Sequence, residues 1–101
     1  MVAAGKALTA GTRVKIRQTM AVPGDSVWDD DHQRTSTSVK RRLQQQFFMG
    51  DKRVQAEILY VASESVRAML KRKNQVKLQL RDPAGSSLVI TACVDHLKGV
   101  A

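Results

Sequence analysis

The pairing potential of residues 75–94 constrains the fold more than any other feature of the chain. Gln75 to Arg81 alternates strictly, with Val76, Leu78 and Leu80 on one side and Lys77, Gln79 and Arg81 on the other. Asp82-Pro83-Ala84-Gly85 follows, suited to a tight turn because proline presets one backbone angle and glycine tolerates the positive φ that other residues resist. Ser87 to Val94 alternates again, Leu88, Ile90, Ala92 and Val94 against Val89, Thr91 and Cys93. A period of two sends successive side chains to opposite faces, so the stretch reads as an antiparallel hairpin with one apolar face. A lone hairpin is marginal in water, so that face needs more strands or a helix to cover it.

Two earlier segments supply strands. Between Arg53 and Ala62, Val54, Ala56, Ile58 and Tyr60 alternate with Gln55, Glu57, Leu59 and Val61. The first set is expected to face the core, Tyr60 included. Because the second set also turns apolar towards its end, this strand belongs inside the sheet. From Arg13 to Thr19, Val14 and Ile16 face inward while Arg13, Lys15 and Arg17 form an outward row that is wholly cationic.

The connecting segments are less regular. Residues 1–11, rich in Ala and Gly, are expected to form an arm ahead of the folded unit. Residues 20–38 hold Pro23-Gly24, Asp29 to Asp31 and a Ser/Thr cluster, and read as a long loop anchored by a partly buried Trp28. Val39 to Met49 fits a short helix with Ser38 as N-cap, Gly50 beyond its end and Val39, Leu43 and Phe47 as its stripe, leaving Lys40, Arg41 and Arg42 in water. The alternative is a basic loop. Ser63 is placed to cap a second helix bearing Val66, Met69 and Leu70 inward and Arg67, Lys71 and Arg72 outward, with an elaborated loop as the alternative. Asp95 to Gly99 fits one helical turn. The expected fold is mainly β with one or two short helices (α+β). It forms a single domain over residues 12–101, with a loop or helix insertion near residues 20–50.

Seventeen Lys and Arg against nine Asp and Glu give a formal charge of +8 and a pI near 10.3. Folding does not need such an excess; it favours polyanionic partners. The candidate nucleic-acid contacts are the outward rows Arg13, Lys15, Arg17 and Lys77, Arg81, the run Lys40, Arg41, Arg42, and Arg67 with the run Lys71, Arg72, Lys73. If the strand rows are neighbours they merge into one patch able to hold phosphates. With few exposed aromatics, the expected mode follows the RNA or DNA backbone with little sequence readout.

Other chemistries find little support. Asp29, Asp30, Asp31 and His32 carry metal-ligand groups, but adjacent positions of one chain rarely converge on a single ion, so a solvated acidic loop is expected. Cys93 and His96 lack an orienting partner and an oxyanion site, and no phosphate-cradling glycine loop or zinc-ligand spacing is present. No enzyme activity, cofactor or metal is therefore expected. The single Cys93 cannot form an internal disulfide, which points to a reducing, intracellular setting, cytoplasmic or, for a DNA binder, nucleoid or nuclear. No run of 18 uncharged apolar residues occurs, so no membrane partner is expected.

The segments RVQAEILYV, VKLQLRD, PAG and SLVITACV, together with the opening GTRVKI, resemble the strands of SH3-like and Tudor-type small β-barrels. That resemblance implies a small antiparallel barrel, and the basic residues between its strands are similar to those of SH3-like modules that bind nucleic acid in ribosomal and transcription proteins. Tudor domains that read methyl-lysine use an aromatic cage, whereas this chain offers only Trp28, Phe47, Phe48 and Tyr60. A second expectation is an adaptor that binds an acidic protein or forms a homo-oligomer, through the hairpin edge at 75–94 and the apolar surplus of residues 54–62 and 87–94.

Overall fold

A computed structural model describes residues 8–28, 35–61 and 75–100. Its elements are β1 (Arg13–Ile16), β2 (Val27–Trp28), α1 (Thr37–Phe48), β3 (Gln55–Val61), β4 (Gln75–Arg81), β5 (Ser87–Cys93), a 3-10 turn at Val94–His96, and β6 (Leu97–Gly99).

The hairpin forms as its alternation dictates. β4 and β5 pair antiparallel from Gln75 opposite Cys93 to Arg81 opposite Ser87. At the turn Gly85 adopts φ +91°, and Asp82 closes the loop twice: its N–H donates to Ser86 O at 3.1 Å, and its Oδ1 accepts the Ser86 N–H at 2.9 Å.

The strands stand in the order β2-β5-β4-β3-β1-β6, each antiparallel to its neighbours. β3 is interior, as its two-sided apolar end requires. The expected barrel is not closed. Closure needs the two end strands to hydrogen-bond to each other, and β2 and β6 instead stand at opposite ends of the sheet. Neither of these short strands was expected. The turn proposed for Asp95 to Gly99 is instead a 3-10 turn at Val94–His96, after which Leu97 drops into the core and residues 97–99 pair with β1.

β3 departs from plain alternation. Ile58 stands opposite Leu78, but the next register pair is Tyr60 with Lys77, so Leu59 is an extra residue at a β-bulge. A bulge shifts every following side chain by one position, which turns Tyr60 to the outer face beside Lys77 and Val61 towards the core. The inward placement of Tyr60 is thereby overturned; the residue is 53% exposed.

One face of the sheet is covered by α1. The helix begins at Thr37, two residues earlier than the sequence indicates, because Ser36 and not Ser38 is the N-cap: Ser36 is extended and its Oγ accepts the Val39 N–H at 3.4 Å. At the other end Gly50, at φ +81°, allows Asp51 N–H to reach Gln46 O at 2.9 Å and Gly50 N–H to reach Phe47 O at 3.1 Å, the glycine-terminated closure expected. The buried stripe is Lys40, Leu43, Gln44, Phe47 and Phe48. Lys40 therefore does not face water as its place in a basic run suggested. Its spacing of three, four and seven from Leu43, Gln44 and Phe47 puts it on the inner face, with its ammonium over the Trp28 ring at 4.7 Å from the centroid.

The core lies between this stripe and the inner side chains of β1, β3, β4, β5 and β6. Phe47 and Phe48 meet edge to face at 5.2 Å. Trp28 packs against the core as the expected partial anchor, and Leu8 packs there too, while Gly11 N–H donates to Ile58 O at 2.8 Å. Residues 1–7 of the expected arm, the acidic segment Asp29 to His32 and the second helix proposed after Ser63 lie outside the described residues. No described helix is long and apolar enough to cross a membrane.

Candidate nucleic-acid interface

β1 and β3 pair only at Arg13 with Glu57 and at Val14 with Ala56, then part. The opening between β1 and residues 50–56 is a groove of about 430 Å³ lined by five cationic side chains, Arg13, Lys15, Arg17, Lys52 and Lys98, over apolar surface from Ile16, Phe47 and Val54.

Each cation arrives for a local reason. The period-two row of β1 supplies Arg13, Lys15 and Arg17 on the side opposite buried Val14 and Ile16. The antiparallel register of β6 puts Lys98 directly opposite Lys15. The tight exit from α1 at Gly50 delivers Lys52. Arg17 is held in place by its Nε–H, which donates to Leu97 O at 3.0 Å.

Asp51 is the one acid among the described residues lining the groove. Its carboxylate accepts the Arg53 Nε–H at 3.1 Å, the Nη2–H at 2.8 Å and the Arg53 backbone N–H at 2.9 Å. These bonds, the guanidinium's first, hold its pKa down to about 2. The acid is thus matched by its own arginine, and the groove cations keep their excess. No ion pair to Arg13, Lys15, Lys52 or Lys98 is formed among the described residues. Like charges directly opposite on neighbouring strands destabilise a sheet, so the Lys15–Lys98 pair favours an anion between them.

The expected site residues divide sharply. Arg13, Lys15 and Arg17 meet at the groove. Arg81 stands opposite Gln55, a groove residue, and so flanks it. Lys77 lies further along the outer face beside Tyr60. Arg41 is exposed on α1. Lys40 is buried with its ammonium over the Trp28 ring, whereas Arg42 is half exposed as expected and pairs with Asp82, Nη2 to Oδ2 at 2.6 Å. Arg67, Lys71, Arg72 and Lys73 lie outside the described residues. Lys52 and Lys98 were missed; a strand alternation at 97–99 would have revealed Lys98, but three residues are too few to show a period.

Elsewhere, Cys93 is buried and its thiol is pushed up, chiefly by desolvation, which disfavours the nucleophilic thiolate. His96 Nδ1 is buried without a hydrogen-bond partner among the described residues. No three His, Cys, Asp or Glu side chains cluster for a metal among those residues. A hollow of about 320 Å³ on the outer face is bordered by Val27, Trp28, Lys77 and Val89.

Comparison of the chain with protein-family models, with curated proteins and with solved structures finds no match.

Proposed function

We propose that the protein is a nucleic-acid-binding module that holds the phosphate backbone of RNA or DNA in the groove between β1 and residues 50–56. The observation that carries this reading is the convergence of Arg13, Lys15, Arg17, Lys52 and Lys98 on one groove whose single described acid is already paired. Phosphate contacts of this kind position a strand without reading its sequence. The resemblance of the strand pattern to SH3-like modules that bind nucleic acid belongs to the same reading.

Affinity for a mixed-sequence oligonucleotide, measured by fluorescence anisotropy, tests it. Neutralising about five phosphates gives a slope of log K against log salt of about −3.5 on a single strand and −4.5 on a duplex. Lys15→Gln and Lys98→Gln each flatten the slope by about one phosphate's share and weaken binding. Undetectable binding at low salt, or equal affinity for poly-glutamate, overturns the proposal and favours an acidic protein partner.

A further inference from the structure

Among the described residues the outer face of the sheet carries one exposed aromatic ring, Tyr60, which lies on the same face as Arg13 and Lys15 of the cationic groove. The β-bulge at Leu59 rotates Tyr60 outward, and the register sets Tyr60, Lys77, Thr91 and Val27 side by side across β3, β4, β5 and β2. Tyr60 is 53% exposed and so is Val27. Beyond Lys77 the surface sinks into the hollow of about 320 Å³ bordered by Val27, Trp28 and Val89.

The same face continues into the groove. Arg13 stands opposite Glu57 on β3, three residues from Tyr60 and one strand across. At about 3.3 Å per residue and 4.8 Å between strands, the backbone positions of Tyr60 and Arg13 are roughly 11 Å apart. Lys15 and Lys98 follow one further step along β1 and β6. An aromatic ring with a cation beside it, leading into a row of cations, is the arrangement on which unpaired bases stack while their phosphates follow the charges. A duplex buries its base faces in its own stack and leaves nothing for Tyr60 to meet.

Resting on the nucleic-acid reading above, we infer that the preferred ligand is single-stranded, with one base stacked on the Tyr60 ring beside Lys77 and the adjoining phosphates running to Arg13, Lys15 and Lys98. The bulge is what makes this site; without it Tyr60 would be a core residue.

The test compares a labelled single-stranded 12-mer with a blunt duplex of the same sequence at low salt, for the wild type, Tyr60→Ala, Tyr60→Phe and Lys98→Gln. Expected are tighter binding of the single strand, a loss of roughly 5- to 150-fold for Tyr60→Ala on the single strand only, and recovery in Tyr60→Phe, since a stacked base contributes about 1–3 kcal/mol. Lys98→Gln weakens both ligands. Equal affinity for strand and duplex, or single-strand binding unchanged in Tyr60→Ala, overturns this inference and leaves the groove reading standing. Absence of binding to either ligand overturns both. Because Tyr60 is half exposed, circular dichroism of the two variants is expected to match the wild type, and a folded Tyr60→Phe that fails to recover binding also counts against the stacking role.

Discussion

Lys15 and Lys98 stand directly opposite each other on β1 and β6, two ammonium-bearing side chains on one face with no ion pair to either among the described residues. The pair works against the sheet and for an anion, so the two effects separate on substitution. Lys98→Glu converts a repulsive cross-strand pair into an attractive one and is expected to raise stability by about 0.2–1 kcal/mol. The same change is expected to weaken oligonucleotide binding. Urea denaturation and anisotropy on one sample check both; a variant that loses stability and affinity together would indicate simple misfolding of the edge.

Arg42 and Asp82 divide unequally. The Asp82 side chain is 7% exposed and accepts both the Arg42 guanidinium and the Ser86 N–H, while the Arg42 side chain is 49% exposed. Asp82→Ala removes a loop-closing acceptor from a buried position and is expected to cost about 1–3 kcal/mol in chemical denaturation. Arg42→Ala is expected to cost less, about 1 kcal/mol, since half its side chain remains in water. Neither substitution is expected to change the affinity for a single strand by more than about twofold, because the pair lies outside the groove.

The Asp51 carboxyl titrates far below its usual range because Arg53 hydrogen-bonds it. A depressed folded pKa means the interaction is fully present above the unfolded value of 3.8 and is lost as pH falls through about 2. An NMR titration of the Asp51 carboxyl is expected to show a midpoint near 2, rising towards 3.8 in Arg53→Gln. That variant also leaves the Asp51 charge unmatched beside Lys52, so weaker binding at neutral pH is expected. A midpoint unchanged by Arg53→Gln would contradict the assignment of the shift.

Gly50 ends α1 at φ +81°, and a Cβ placed there would meet Thr19 Cγ2 at 3.0 Å. Gly50→Ala combines left-handed strain with this contact and is expected to lower stability by about 1–2 kcal/mol. Gly85→Ala, also at positive φ but with open space around its position, carries the backbone strain alone and is expected to cost less. Thermal melts of the two variants compare the contributions directly.

The sheet was legible wherever alternation ran long enough to be unambiguous. Val76, Leu78 and Leu80 facing Leu88, Ile90 and Ala92 follow from the sequence because a one-residue slip of either strand would expose the whole set. The interior place of β3 followed from its apolar second face. Tyr60 was misplaced because a bulge is one inserted residue, invisible in a pattern that continues to look periodic on both sides of Leu59. Lys40 was misplaced because it stands in a basic run and a lysine is ordinarily solvated; its spacing of three and seven from Leu43 and Phe47 puts it on the inner face wherever the helix starts. Three of the five groove cations, Arg13, Lys15 and Arg17, lie in one alternating row of the sequence. Lys98 joins them only through pairing between residues more than 80 positions apart, Lys15 with Lys98, which no local pattern records, and Lys52 only through the turn that leaves α1.

The end strands of the ladder are two and three residues long, and the longer has a lysine at its centre. Long, flat, apolar edges are the templates on which chains stack into aggregates. An incoming strand would find only a few backbone partners at either margin, and at β6 it would meet a positive charge midway. The two end strands of the six-stranded sheet, close to exposed Tyr60, Leu59 and Val27, are therefore themselves too short to template an incoming chain over more than a few residues.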